Sequence, residues 1–166
     1  MNRNLLVFTL FLTTALLFSG CKKDETKDPG AASLSPGKSQ ISCTISGAAS
    51  SSFNSNIQLS TVLKSTDLMN ISGSAISGTT AEIVMMILPA NITTGTYTSA
   101  SNNSGDFAFS YSNGSVGWAA DVSPVFTVVV TKATATEIEG TFSGILNNDD
   151  QGNQVTVKDG KFAAKF

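Results

Sequence analysis

Phe107-Ala108-Phe109-Ser110-Tyr111-Ser112-Asn113-Gly114-Ser115-Val116-Gly117-Trp118 decides the fold class of this chain. Aromatic side chains take every second position from Phe107 to Tyr111 and small ones take the positions between, the period of a strand with one buried face. Asn113-Gly114 is then the strongest short hairpin signal, and it leads into Val116-Gly117-Trp118. The two segments are expected to pair with each other as antiparallel strands.

The period of two recurs on both sides of this hairpin. Ile41, Cys43 and Ile45 form one face of a first strand, Ile57 and Leu59 suggest a second, and Met69, Ile71, Gly73 and Ala75 alternate up to a turn at Ser77-Gly78. From Glu82 to Leu88, Ile83, Met85 and Ile87 share one parity and Val84, Met86 and Leu88 the other, so both faces need cover. Further strands are expected around Thr96-Tyr97-Thr98, from Val125 to Thr131, and from Ile138 through Gly140 and Phe142 to Leu146. Val155 and Val157 lie on one parity and Phe162, Ala164 and Phe166 on the other, which predicts a glycine bulge or tight turn at Asp159-Gly160. Over 61–69 a short helix is the alternative to a strand, because Val62, Leu63 and Leu68 do not alternate cleanly. The pattern specifies an all-β domain of about eight to ten strands, a single antiparallel β-sandwich or a closed or partly open β-barrel.

The first residues read differently. Arg3 precedes an uncharged run from Leu5 to Phe18, and Ser19-Gly20 supplies the small residues of a cleavage site, so residues 1–20 have the form of a signal peptide. A helix over that run reaches roughly 21 Å, short of the ~30 Å hydrocarbon core. Phe18-Ser19-Gly20-Cys21 resembles a bacterial lipobox, which implies a lipid-bearing Cys21 as the mature N-terminus. Several acyl chains, each gaining about 0.8 kcal/mol per buried methylene, would anchor the protein stably. Lys22-Lys23-Asp24-Glu25 resembles the export signal that carries Bacteroidetes lipoproteins to the outer face of the outer membrane. Pro29, Gly30, Pro36 and Gly37 mark residues 21–39 as a flexible linker, leaving 40–166 as the domain.

Of the two cysteines, Cys43 alone remains once Cys21 is acylated, and its place between Ile41 and Ile45 gives it the role of a small buried hydrophobe. With no histidine, a Ser-His-Asp or Cys-His pair cannot be built, nor can the commonest zinc sites. A formal net charge of −2 without a basic cluster makes nucleic acid a poor partner.

Ser42-Cys43-Thr44-Ile45-Ser46-Gly47, Thr94-Gly95-Thr96-Tyr97, Ile138-Glu139-Gly140-Thr141-Phe142-Ser143-Gly144 and Val155-Thr156-Val157-Lys158-Asp159-Gly160-Lys161-Phe162 resemble landmarks of an uncharacterised Bacteroidetes family of small β-rich lipoproteins. That resemblance implies a fold and a location, with no activity to carry over.

The candidates for chemistry are few. Asp106, Asp121, Glu137 and Glu139 flank aromatic strands, but nothing in the sequence sets the separation a carboxylate glycosidase needs, so no catalytic residue and no cofactor is assigned. Asn147, Asp149 and Gln151 alternate before Gly152 as in a calcium loop, yet the twelfth position is Lys158 instead of a bidentate glutamate. Trp118, Tyr97 and Tyr111 are the rings available to stack on a ligand, although packing in the core is the stronger expectation for them, above all for Tyr111 on the Phe107–Phe109 face. The expected function is a non-catalytic binding module for a glycan or other small ligand, lipid-anchored at the outer membrane and facing the cell surface. The alternative is an accessory lipoprotein that docks on another envelope protein through a sheet face.

Overall fold

The computed structural model describes residues 30–101 and 107–166; Cys21, the Lys22-Lys23-Asp24-Glu25 signal and Asp106 lie outside them. The described chain is all-β. Its strands are β1 (Lys38–Gly47), β2 (Ser51–Asn54), β3 (Thr61–Lys64), β4 (Leu68–Ser77), β5 (Thr80–Pro89) and β6 (Gly95–Thr98), followed by β7 (Ala108–Asn113), β8 (Val116–Ala119), β9 (Thr127–Ala133), β10 (Glu137–Asn148) and β11 (Asn153–Lys165). Two of the short ones, β2 and β3, span four residues each, too few for alternation to reveal them. No helix among the described residues is long and apolar enough to cross a membrane.

All strand pairs are antiparallel, in the order β2-β1-β11-β10-β8-β7-β5-β4-β3. The sheet forks at β10: Ile138 to Ser143 pair with β9, which carries β6 on its other edge, while Asn147 pairs with Ala119 of β8. The sheet curls until its ends meet. Val62 N–H donates to Gly37 O (3.2 Å), Asn56 N–H to Ser74 O (2.7 Å), and the fully buried Ser39 hydroxyl reaches Ser72 O (2.6 Å) and Thr61 O (3.1 Å). Opposed inner faces pack as in a sandwich, while the strands run on around the core as in a partly open barrel.

Parity places the core as the alternation implies. Ile41, Cys43, Ile45, Met69, Ile71, Phe109, Tyr111, Val155 and Val157 are buried in one cluster. On β5 the inner face is Val84, Met86 and Leu88, all fully buried, and the outward face carries Ile83, which stays 42% exposed, with Met85 and Ile87 partly covered. Phe109 stacks on Phe126 with ring centroids 4.2 Å apart, and Phe142 lies 4.8 Å from Phe109.

The change of parity in the last strand is a bulge. Against β1 the register passes from Ser42↔Lys161 to Thr44↔Lys158, and against β10 from Phe142↔Gly160 to Gly144↔Val157, so β11 holds an extra residue on both sides. Asp159 takes up the excess at φ 53. Two sequence landmarks meet across β10 and β11: Gly140 stands opposite Phe162, and Phe142 opposite Gly160. Each ring covers the bare backbone of the facing glycine.

Three expectations change. The segment holding Ile57 and Leu59 is a turn, with Leu59 49% exposed; the second strand is Ser51–Asn54, whose Phe53 points inward opposite Cys43. No helix forms over 61–69, because Val62 is needed to cover the closure of the sheet and β3 pairs with β4 from Thr61↔Ser72 to Lys64↔Met69. The linker boundary at 39 also moves. From Gly30 onward the chain belongs to the fold: a 3-10 turn over Ala31–Ser33 buries Ala31 and Leu34 against Ala163, and Ala31 N–H donates to Glu139 Oε1 (2.9 Å).

Cys43 sits in this core with its thiol pKa pushed up to about 12 from an ordinary 9.0, by burial first and then by the charge of Glu82. The unfolded thiol ionises above 9.0 while the folded one keeps its proton to about 12, so its stabilisation is complete below 9.0 and lost as pH rises across that window. Iodoacetamide is expected to label Cys43 in urea and not in the native protein at neutral pH. Rapid labelling without denaturant would contradict the burial.

Candidate functional site

The β7–β8 hairpin that decides the fold also builds the candidate site. Gly114 takes φ 61 at the first corner of its two-residue turn, and the pairs Ser112↔Gly117 and Ser110↔Ala119 follow. Inward from this hairpin go Phe109, Tyr111 and Trp118; outward go four small residues, Ser110, Ser112, Gly117 and Ala119. Their small size leaves a flat floor. The β10–β11 turn rises beside it, so that Ser110, Ser112, Ser115, Asn147, Asp149 and Asp150 line an open groove of about 590 Å³. On the far side, Met85 pairs with Ser110 and Ile83 with Ser112, adding an apolar border along β5.

Amide side chains hold the wall of the groove in place. Asn148 Nδ2 donates to Gly117 O (2.8 Å), and its Oδ1 accepts from Gln151 N–H (2.9 Å). Gln154 Nε2 donates to Asn147 Oδ1 and Asn153 Nδ2 to Gln151 Oε1, both at 3.0 Å. Of the calcium candidates Asn147, Asp149 and Gln151, the first and last therefore have side-chain oxygens that already accept hydrogen bonds closing the turn. Among the described residues no group of three or more metal-binding side chains of Cys, Asp or Glu type comes together. Asp149 and Asp150 are exposed and face solvent with acceptor capacity to spare.

Beneath the floor lies a buried polar network. Trp118, 5% exposed, stacks on Tyr111 at 5.7 Å between centroids, and its indole N–H donates to Asn153 Oδ1 (2.7 Å). The Tyr111 hydroxyl donates to Glu82 Oε1 (2.7 Å), Ser51 Oγ donates to Glu82 Oε2 (2.9 Å), and Asn113 Nδ2 lies 3.5 Å from Glu82 Oε1. Glu82 is 3% exposed, and no cation among the described residues lies within ion-pair distance of it. Neutral donors alone hold it. Because Ser51 belongs to β2 at one end of the sheet and Glu82 to β5 near the other, the network ties the curled ends together. Burial, then the hydrogen bond to Glu82, holds the Tyr111 phenol well above its ordinary pKa.

The expected recognition residues thus divide. Tyr111, Trp118, Asn147, Asp149 and Gln151 come together around one groove, but both rings lie below its surface, so Trp118 and Tyr111 have no face to stack on a ligand. Their role is to fix the floor from inside. Tyr97 stands apart on β6, its hydroxyl donating to Thr93 O (2.9 Å). Of the acids, Glu137 and Glu139 share Lys132 at 2.7 and 3.4 Å away from the groove, and Asp121 Oδ1 accepts from Val122 N–H (2.6 Å). Glu82 was missed because both parities of its strand are apolar in the sequence, so only the fold shows that the side it shares with Val84, Met86 and Leu88 faces inward. Neither a family model, nor a curated protein, nor a solved structure matches this chain.

Proposed function

We propose that this protein is a lipid-anchored, non-catalytic binding module of the outer membrane, facing the cell surface, that takes a glycan or similar polyhydroxylated ligand in the groove beside the β7–β8 hairpin. The observation that carries this reading is the convergence of three serine hydroxyls and two aspartate carboxylates around about 590 Å³, a volume in the range of small-molecule sites. Serine hydroxyls donate and accept, carboxylates accept from neighbouring sugar hydroxyls, and the Ile83–Met85 border offers an apolar edge to a sugar's C–H face. The two carboxylates disfavour acidic glycans.

A glycan array with the purified domain tests it, using neutral and acidic members. Retention of a neutral glycan is expected. Ser112→Trp, which fills the floor, should abolish it with stability changed by less than about 0.5 kcal/mol. Replacing Asp149 and Asp150 by Asn should weaken it about tenfold or more, the loss of a charged hydrogen bond. No retained glycan, or undiminished binding by Ser112→Trp, would sink the reading. In cells, Cys21→Ser should release the protein from the membrane fraction, and retention would count against the anchor.

A second reading, docking on another envelope protein, draws on one observation. Ile76 and Ile83 stand 69% and 42% exposed on the outward side of β4 and β5, and the pairs Ser74↔Ile83 and Ile76↔Ala81 make them diagonal neighbours. A photo-crosslinker at Ile76 in intact cells should then capture one heterologous protein; recovery of monomer alone rejects it.

A further inference from the structure

Asn113-Gly114 is chemically vulnerable as well as a turn signal. With no side chain on Gly114, its backbone nitrogen can attack Asn113 Cγ: a C–N bond forms, Nδ2 leaves as ammonia with the proton from the Gly114 amide, and water then opens the succinimide to aspartate or isoaspartate. The sum is asparagine plus water giving an acid plus ammonia.

The folded hairpin blocks both partners in this step. Gly114 N–H donates to Ala81 O (2.9 Å), so the nucleophilic nitrogen is committed to the neighbouring strand. Asn113 pairs with Glu82 on one side and Val116 on the other, and its Nδ2 is directed at Glu82 Oε1, so the carboxamide is turned toward β5. In the unfolded chain neither restraint exists.

The product is incompatible with what surrounds it. Aspartate at 113 removes a donor from Glu82 and sets a second carboxylate beside an acid that is 3% exposed and has no cation partner among the described residues. Isoaspartate adds a methylene to the backbone and breaks the Asn113↔Val116 register. We infer that Asn113 is a modification site gated by folding: the native hairpin shields it, and a chain that stays unfolded long enough to deamidate there loses its route back to the native rim.

Mass spectrometry of the peptide carrying residue 113 tests the first half, with the full chain incubated in mildly alkaline buffer with and without urea. Conversion in urea is expected to exceed the native rate by about tenfold or more, since reaction needs local opening. Equal rates would overturn the shielding. For the second half, Asn113→Asp should lower the urea midpoint well below that of Asn113→Ala, and Glu82→Gln should recover most of the loss by removing the facing charge. If Asn113→Asp alone fails to fold, the Glu82→Gln double variant still reports, because its folding supports the charge conflict and its failure refutes it. An Asn113→Asp protein as stable as Asn113→Ala would also refute it.

Discussion

Gly160→Ala should destabilise the fold severely, shifting its urea midpoint far down. A methyl group there would fall within hard contact of Phe142 O and of two atoms of the Phe142 ring, and the carbonyl belongs to the paired strand and cannot withdraw. Nor can the ring move aside, since Phe109 and Phe162 pack around it at 4.8 and 6.4 Å between centroids. Overpacking of this kind costs typically 1–3 kcal/mol, and the rigid backbone contact puts the expected loss at about 3 kcal/mol or more. Against a total stability of roughly 5–15 kcal/mol, that is a large part of the whole. Gly140→Ala is expected to behave alike, because its methyl would meet Val129 O and the Phe162 ring. Urea unfolding gives the answer, and adding Phe142→Leu to Gly160→Ala should restore part of the stability by removing the ring. A Gly160→Ala protein with an unshifted midpoint would show that the facing Gly-Phe pairs do not control the packing.

Glu82→Ala is expected to cost about 3 kcal/mol or more, beyond what its size alone implies. Deleting the carboxylate strands the buried Tyr111 hydroxyl, takes the partner from half-buried Ser51 and opens a void between the two ends of the sheet. Tyr111→Phe keeps the ring and removes one bond to a charged group, so about 1.5–3 kcal/mol is expected. Glu82→Gln, which can still accept from Tyr111, should be the mildest. Chemical unfolding of the three variants should rank them in that order. If Glu82→Ala proves neutral, the network is incidental to the closure of the sheet.

The consequence for binding follows from the same contacts. The floor of the groove is the outer side of the strands whose inner side carries Tyr111 and Trp118, so under the proposed function loosening Glu82 should weaken glycan retention without touching a groove residue. Rigid support from beneath is what a site built of small side chains requires.

Much of this was legible in the residues. Alternation located β1, β4, β7 and β11 and identified their inward sides, because a strand with one dry face must repeat every two residues. The bulge at Asp159-Gly160 showed itself as a change of parity. Ile57 and Leu59 misled because a turn over so few residues can mimic one strand repeat, and Ala31 and Leu34 were hidden among proline and glycine. For Trp118 and Tyr111 core packing was the stronger expectation and ligand stacking the weaker, and the side of the sheet they occupy agrees with the first.

What the sequence by itself determined is the class of fold, the hairpin at Asn113-Gly114 and the core faces of β1, β4, β7 and β11, since these depend on neighbours one or two positions apart. Only the tertiary structure decided that Glu82 meets Ser51 and Tyr111, that Gly140 faces Phe162, and that the 147–151 turn stands beside Ser110 and Ser112. Those contacts join residues far apart in the chain. They arise from strand register and the curl of the sheet, which no local pattern encodes.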